Sequence, residues 1–181
     1  MRALHSVVLL AVVAAVGSIS WRTASGQSQT LSPARAAAVS DAVRAFMGTV
    51  AHDITQDGPL AWNKHFADDP AFFMADEGRL VFPDRATETA AIQEFARGVK
   101  HIELTWGEDL RVDPLTESYA VVGATYHENR VDTKGERVEE TGFFTGTVEL
   151  RDGRWQFRNA HWSLIAPSPA SPPAQAQAPA R

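Results

Sequence analysis

Two side chains stand out because they fall among apolar residues on strands. An unpartnered polar group buried there costs about 1–3 kcal/mol, so its presence asks for a reason. Glu108 shares the alternation of Trp106 and Leu110. A carboxyl on that inward face would have a raised pKa and could act as general acid or base. The structural alternative is a bulge at Gly107 that turns the glutamate outward, or a salt-bridged glutamate at the rim. His161 shares the alternation of Trp155, Phe157 and Asn159 near the C-terminal end. If the Trp155/Phe157 face is inward, Asn159 and His161 are inward too, and His161 becomes a candidate base or hydrogen-bond anchor. It would equally serve as a core histidine satisfied by a backbone carbonyl. Ala160, Trp162 and Leu164 lie on the opposite face, which would then bury against a partner.

The expected catalytic pair is therefore His161 and Glu108, and the expected ligand-binding residues are Asn159, Tyr126, Trp106, Trp62 and Asp53. The aromatic residues suit an apolar or aromatic ligand, although most of them must be core. Tyr126 and Glu128 share a strand face, with His127 on the other. Asp53 sits at the edge of an apolar helical stripe, aimed either at a cavity mouth or at solvent. Asp76 reads as hairpin-turn chemistry. The six histidines show neither His-x-His nor His-Glu-x-x-His spacing, so no metal site is expected, and no cofactor. Gly-x-Gly-x-x-Gly, phosphate-loop and Gly-x-Ser-x-Gly patterns are missing. The chain has no cysteine, which excludes disulfides, thiolate nucleophiles and iron–sulfur clusters.

The elements that must position these residues can be read from capping and periodicity. Ser32-Pro33 starts a helix, along which Val39, Val43, Phe46, Met47, Val50 and Ile54 form one stripe. It stops at Asp57-Gly58-Pro59. A short helix over 60–66 carries Trp62 and Phe66. Phe72–Met74 and Leu80–Phe82 flank Asp76-Glu77-Gly78-Arg79 as a hairpin. A third helix over 87–99 places Ile92, Phe95, Ala96 and Val99 on one side. Four strands follow, over about 102–112, 118–131, 138–151 and 154–165, with Asp152-Gly153 as a tight hairpin turn.

Both ends are expected to lie outside this domain, which is placed at 32–166. Arg2, the apolar run Val7–Val16 and the small residues Ala24-Ser25-Gly26 form a signal-peptide pattern over 1–26, cut before Gln27 or after Ser20. The run is too short for a bilayer span of about 20 residues, so no stable membrane span is expected after cleavage. The sequence thus predicts export to the periplasm or the medium. Residues 167–181 read as a disordered Pro/Ala/Gln tail. The formal net charge is −5. Loss of 1–26 leaves 15 basic against 22 acidic side chains, a net charge of −7. Such a surface repels phosphate backbones, and nucleic acid is not an expected partner.

The element order resembles the nuclear transport factor 2-like superfamily, which includes ketosteroid isomerase, scytalone dehydratase and the SnoaL-like polyketide cyclases. Asp152-Gly153-Arg154-Trp155 and the ending His161-Trp162-Ser163 are similar to the closing hairpin of SnoaL-like domains of unknown function. The resemblance implies an α+β cone: a curved antiparallel sheet wrapped around a long N-terminal helix, with a hairpin and a third helix, and an apolar cavity at the open end. The first helix contains no tyrosine, so the ketosteroid isomerase catalytic set does not transfer. Two functions follow as expectations. One is an exported small-molecule pocket protein, with cofactor-free acid/base catalysis of the isomerase, dehydratase or cyclase class if it is an enzyme. The other is a non-catalytic interaction module of the cell envelope, a homodimer through the sheet face.

Overall fold

The computed structural model describes residues 31–165. The predicted signal segment 1–26 and tail 167–181 lie outside them.

Helix α1 spans Pro33–Asp57. The Ser32 hydroxyl accepts a hydrogen bond from the Arg35 amide, and Gly58 ends the helix with φ at 77°, where a side chain would be strained. The stripe read from the sequence is the buried face of this helix. A 3-10 turn, Pro59–Ala61, leads into α2, Trp62–His65. Strands β1, Phe73–Asp76, and β2, Arg79–Phe82, form the hairpin. Glu77 and Gly78 both have positive φ, 47° and 75°, as a two-residue turn of this hand requires. Helix α3 spans Arg85–Gly98, capped by the Asp84 carboxylate on the Thr87 amide at 2.8 Å. The remaining strands are β3, Val99–Trp106; β4, Arg111–Pro114; β5, Tyr119–Asp132; β6, Arg137–Arg151; and β7, Arg154–Leu164.

The sheet runs β2-β1-β7-β6-β5-β3, with β4 beside β5. One departure from the predicted antiparallel sheet is β1, which pairs with β7 in parallel, Phe73 opposite Asn159 and Asp76 opposite Trp162. The sheet is therefore mixed. The hairpin extends it instead of standing apart, because α2 and the loop after it carry the chain back to β7. Phe66 bridges to Phe157, and the Ala67 amide donates to the Phe157 carbonyl at 2.8 Å. The core lies between α1 and the inner sheet face, where Phe46, Met47, Ile54, Phe144 and Phe157 are buried.

Two further departures move residues that the sequence placed inward. The strand predicted over 102–112 is broken after Trp106. Asp109 replaces the missing ladder by accepting from the Thr125 amide at 2.9 Å and the Thr125 hydroxyl at 2.8 Å. Leu110 and Val112 return to the core, so the inward alternation survives an outward loop. Val148 and Thr147 are consecutive on β6 but oppose Phe157 and Asn159 of β7, leaving Arg158 as an extra residue. This bulge reverses the faces of everything beyond it.

Arg158 also builds the tie that fixes the loop after α2. Asp69 accepts from Arg151 at 2.6 Å, from Arg158 at 3.1 Å and from the Ala71 amide at 2.8 Å. Glu149, almost fully buried, accepts from Arg158 and from the Tyr119 hydroxyl, both at 2.8 Å. The bond from Arg151, then that from Ala71, hold the Asp69 carboxyl down at about 2. A depressed folded pKa supplies stability above the unfolded value and loses it as pH falls toward the folded one. The thermal stability advantage of the wild type over Asp69→Asn should therefore be constant above about pH 5 and shrink as pH falls through 3.8 toward about 2. An advantage that does not change over that range would detach Asp69 from loop anchoring.

Candidate functional site

The hairpin, α2, α3 and the inner sheet face line a half-open cavity of about 170 Å³. Its walls come from several elements at once: Trp62 and Phe66 from α2 and its end, Met74 and Phe82 from the hairpin, and Phe95 from α3. Trp162 of β7 forms a further wall and is the hub of the surrounding aromatic cluster. Its ring stands edge-on to Trp62 at 5.5 Å and to Tyr126 at 4.7 Å, and stacks on Trp106 at 6.0 Å.

Glu128 of β5 is the one carboxylate in this lining, and it is 9% exposed. Burial raises its pKa, and the Arg130 guanidinium that bonds it pulls in the other direction. Arg130 reaches on to Glu140 with two bonds, at 2.6 and 3.0 Å, and lies 5.6 Å over the Phe95 ring. It is thus fixed by two carboxylates and an aromatic face. Tyr126 lies two residues before Glu128 on the same strand face and is buried. Its phenol is pushed up to about 12, by burial first and then by Glu140, Glu128, Asp76 and Glu77. It therefore stays a neutral hydroxyl at physiological pH, able to donate. Asp76 continues the strand face of Met74, and burial, then Glu77 and Glu140, push its carboxyl up.

This arrangement sorts the predicted residues. Trp62 lines the cavity. Tyr126 and Trp106 stand behind Trp162, and the Trp106 indole donates to the Met47 carbonyl at 2.8 Å. The other four are elsewhere. Glu108 is exposed in the turn after β3, turned outward by the strand break at Gly107. The bulge at Arg158 places His161 on the outer sheet face, exposed and opposite Thr145. It places Asn159 there too, where its side-chain carbonyl accepts from the Thr147 amide at 3.1 Å. The same reversal brings Trp162, expected at a partner interface, into the cavity wall. Asp53 faces His65 of α2, with 3.2 Å between carboxylate and ring nitrogen. His65 is buried, which lowers its pKa against the opposing effect of Asp53, so a neutral imidazole seats α2 on α1. Glu128 was marked only by its alternation with Tyr126, which was the available signal. Among the described residues no group of three or more His, Asp or Glu side chains is arranged to hold a metal ion.

No protein-family model matches the chain. No curated protein matches it either. Solved structures do match, at low identity. A nuclear transport factor 2-like superfamily protein from Salmonella enterica is 12% identical, with a TM-score of 0.63 over 74% of this chain and 96% of that one. A protein provisionally named a scytalone dehydratase, from Novosphingobium aromaticivorans, is 15% identical, with a TM-score of 0.60 over 69% and 83%. A hexachlorocyclohexane dehydrochlorinase, LinA type 2, is 13% identical, with a TM-score of 0.57 over 79% and 99%. The chain has the nuclear transport factor 2-like fold, an α+β cone with a long N-terminal helix. Among the described residues no helix is long and apolar enough to cross a membrane.

Proposed function

We propose that this protein is exported and binds a small apolar or aromatic compound in the Trp62/Trp162 cavity, where Glu128 acts on it as a cofactor-free acid/base group. One observation carries the reading: a carboxylate with a raised pKa is the sole acid in an aromatic-walled cavity. A concave, mostly apolar pocket with few convergent polar groups is the usual form of a small-molecule site, and a perturbed titratable group there marks the chemistry. That the scytalone dehydratase-like and dehydrochlorinase structures share the fold supports the reading without fixing a substrate.

The chemistry follows from the geometry. The Glu128 carboxylate takes a proton from a carbon or hydroxyl of the bound compound and becomes a carboxylic acid. Returning it to a different atom completes an isomerisation, with atoms and charge balanced. Arg130 opposes the upward push of burial on Glu128, and the Tyr126 hydroxyl is the nearest phenolic donor behind the Trp162 wall. The export part of the reading rests on the Arg2, Val7–Val16 and Ala24–Gly26 pattern.

The test is a titration of the full chain with one- and two-ring compounds, read by tryptophan fluorescence. Trp62 and Trp162 face the cavity, so a saturable change that is lost in Trp162→Leu is the expected result. Saturation unaffected by that substitution would move the site elsewhere.

A second reading is favoured by the outer sheet face. Phe143 and Val121 are exposed there, 40% and 39%, and the Phe143 ring packs over Gly123. Such a face suits a homodimer, with or without catalysis in the cavity.

A further inference from the structure

We infer that the ligand of this cavity is a cation: a compound with an apolar ring body and an ammonium group seated among the aromatic rings beside Glu128. This rests on the reading of the cavity as a ligand site and adds the charge of its occupant.

Three observations converge on it. First, the walls include the rings of Trp62, Trp162, Phe66, Phe82 and Phe95, and the negative face of an aromatic ring attracts a cation. The protein already uses two of them so: the Arg130 guanidinium lies over Phe95 and that of Arg85 over Phe66. Second, the charges at this end of the cavity do not balance. Glu128 and Glu140 together carry two negative charges and Arg130 one positive, which leaves one negative charge before Asp76 and Glu77 are added. Arg130 already uses both protons of one terminal nitrogen and one of the other on the two glutamates, and their charges exceed its own. Third, Asp76 follows Met74 on the strand face that lines the cavity, so its carboxyl lies on the same side as Glu128 and beside Glu140. A cation entering here meets the Glu128 carboxylate among several rings, with Asp76 further along the strand face of Met74. A carboxylate or phosphate entering here would be desolvated next to like charge. A neutral ring compound would gain only apolar contact.

The cavity, at about 170 Å³, fits a single substituted ring. This permits a closely matched comparison. Benzyltrimethylammonium and neopentylbenzene differ only in nitrogen for carbon and one positive charge, and phenylacetate supplies the anion. All three are titrated against the full chain by tryptophan fluorescence, in the wild type, Glu128→Gln and Asp76→Asn. The expected result is binding of the cation about tenfold tighter than the neutral isostere, with phenylacetate weakest. The preference should fall toward parity in Glu128→Gln while neopentylbenzene binds as before, which also shows that the variant is folded. A smaller drop is expected in Asp76→Asn, and raising the salt should weaken the cation alone. Equal affinity of cation and isostere in the wild type overturns the inference and leaves the pocket reading standing. A preference that survives both substitutions overturns it as well, because the charge would then be recognised elsewhere. Binding of none of the three overturns the inference and the pocket reading together.

Discussion

Replacing Glu128 by glutamine should abolish turnover of any substrate of this cavity, by about 10²–10⁴-fold in kcat, while leaving uncharged ring compounds bound. The amide keeps the shape of the side chain and removes only the proton-exchanging group. Arg130 retains its two bonds to Glu140, so the local fold survives the change. The pH profile makes the test specific. A base must be ionised to act, so activity should rise with pH through the folded pKa of Glu128. Burial places that pKa above 4.5, with Arg130 opposing. The acidic limb should therefore lie above the ordinary glutamate range in the wild type and vanish in the residual activity of Glu128→Gln. Stability has the opposite sign: a raised folded pKa contributes below the unfolded value and is lost as pH rises through the folded one. Unchanged kcat and an unchanged acidic limb in the variant would remove Glu128 from the chemistry.

Gly142→Ala should be among the most damaging single-atom additions, at a cost of about 3 kcal/mol in unfolding free energy. A methyl group at this position would lie 2.0 Å from the Ser163 carbonyl oxygen, 2.6 Å from the edge of the Tyr126 ring and 2.7 Å from its hydroxyl. Gly142 pairs with Tyr126 on one side and Leu164 on the other, so both neighbouring strands resist any shift. The edge and hydroxyl of Tyr126 come this close to the glycine because no side chain intervenes. Tyr126 in turn meets Trp162 edge-on, so the substitution should also weaken ring-compound binding in whatever protein remains folded. Chemical denaturation beside a ligand titration measures both effects. A loss of less than about 1 kcal/mol would mean that the β6–β7 pairing here is loose enough to admit a methyl group.

Much of this architecture was legible in the chain. The six apolar residues of α1 and its Ser32 cap follow directly from helical spacing and capping chemistry. The two hairpin turns follow from Glu77-Gly78 and Asp152-Gly153, which supply the positive φ that such turns demand. The site was legible only in part, because face assignment on a strand rests on unbroken alternation. At Arg158 one extra residue exchanged the roles of His161 and Trp162. Its cause is long-range: the guanidinium reaches Asp69, 89 residues earlier, and Glu149 on the neighbouring strand. At Gly107 the strand opened because Asp109 could satisfy Thr125 with side-chain oxygens. Neither cause is visible to periodicity. The parallel pairing of β1 with β7 was hidden for the same reason, since it depends on how far the loop after α2 carries the chain. Glu128 was legible only as a residue sharing the face of Tyr126, which does not by itself mark an acid as part of a cavity wall.

The place of β7 has a consequence for the order in which the molecule can be made. The last strand lies between β1 and β6, so residues 159–162 hold the hairpin that begins at Phe73. Until the chain has been synthesised past Leu164, the hairpin has no sheet to join, β6 has an open edge, and the cavity lacks its Trp162 wall. Synthesis at about 5–20 residues per second would keep that state alive for seconds after the hairpin first emerges. An open edge of this length invites pairing with other chains. Completion of the sheet thus waits for β7, and this domain should depend on holdase chaperones far more than its size alone would suggest.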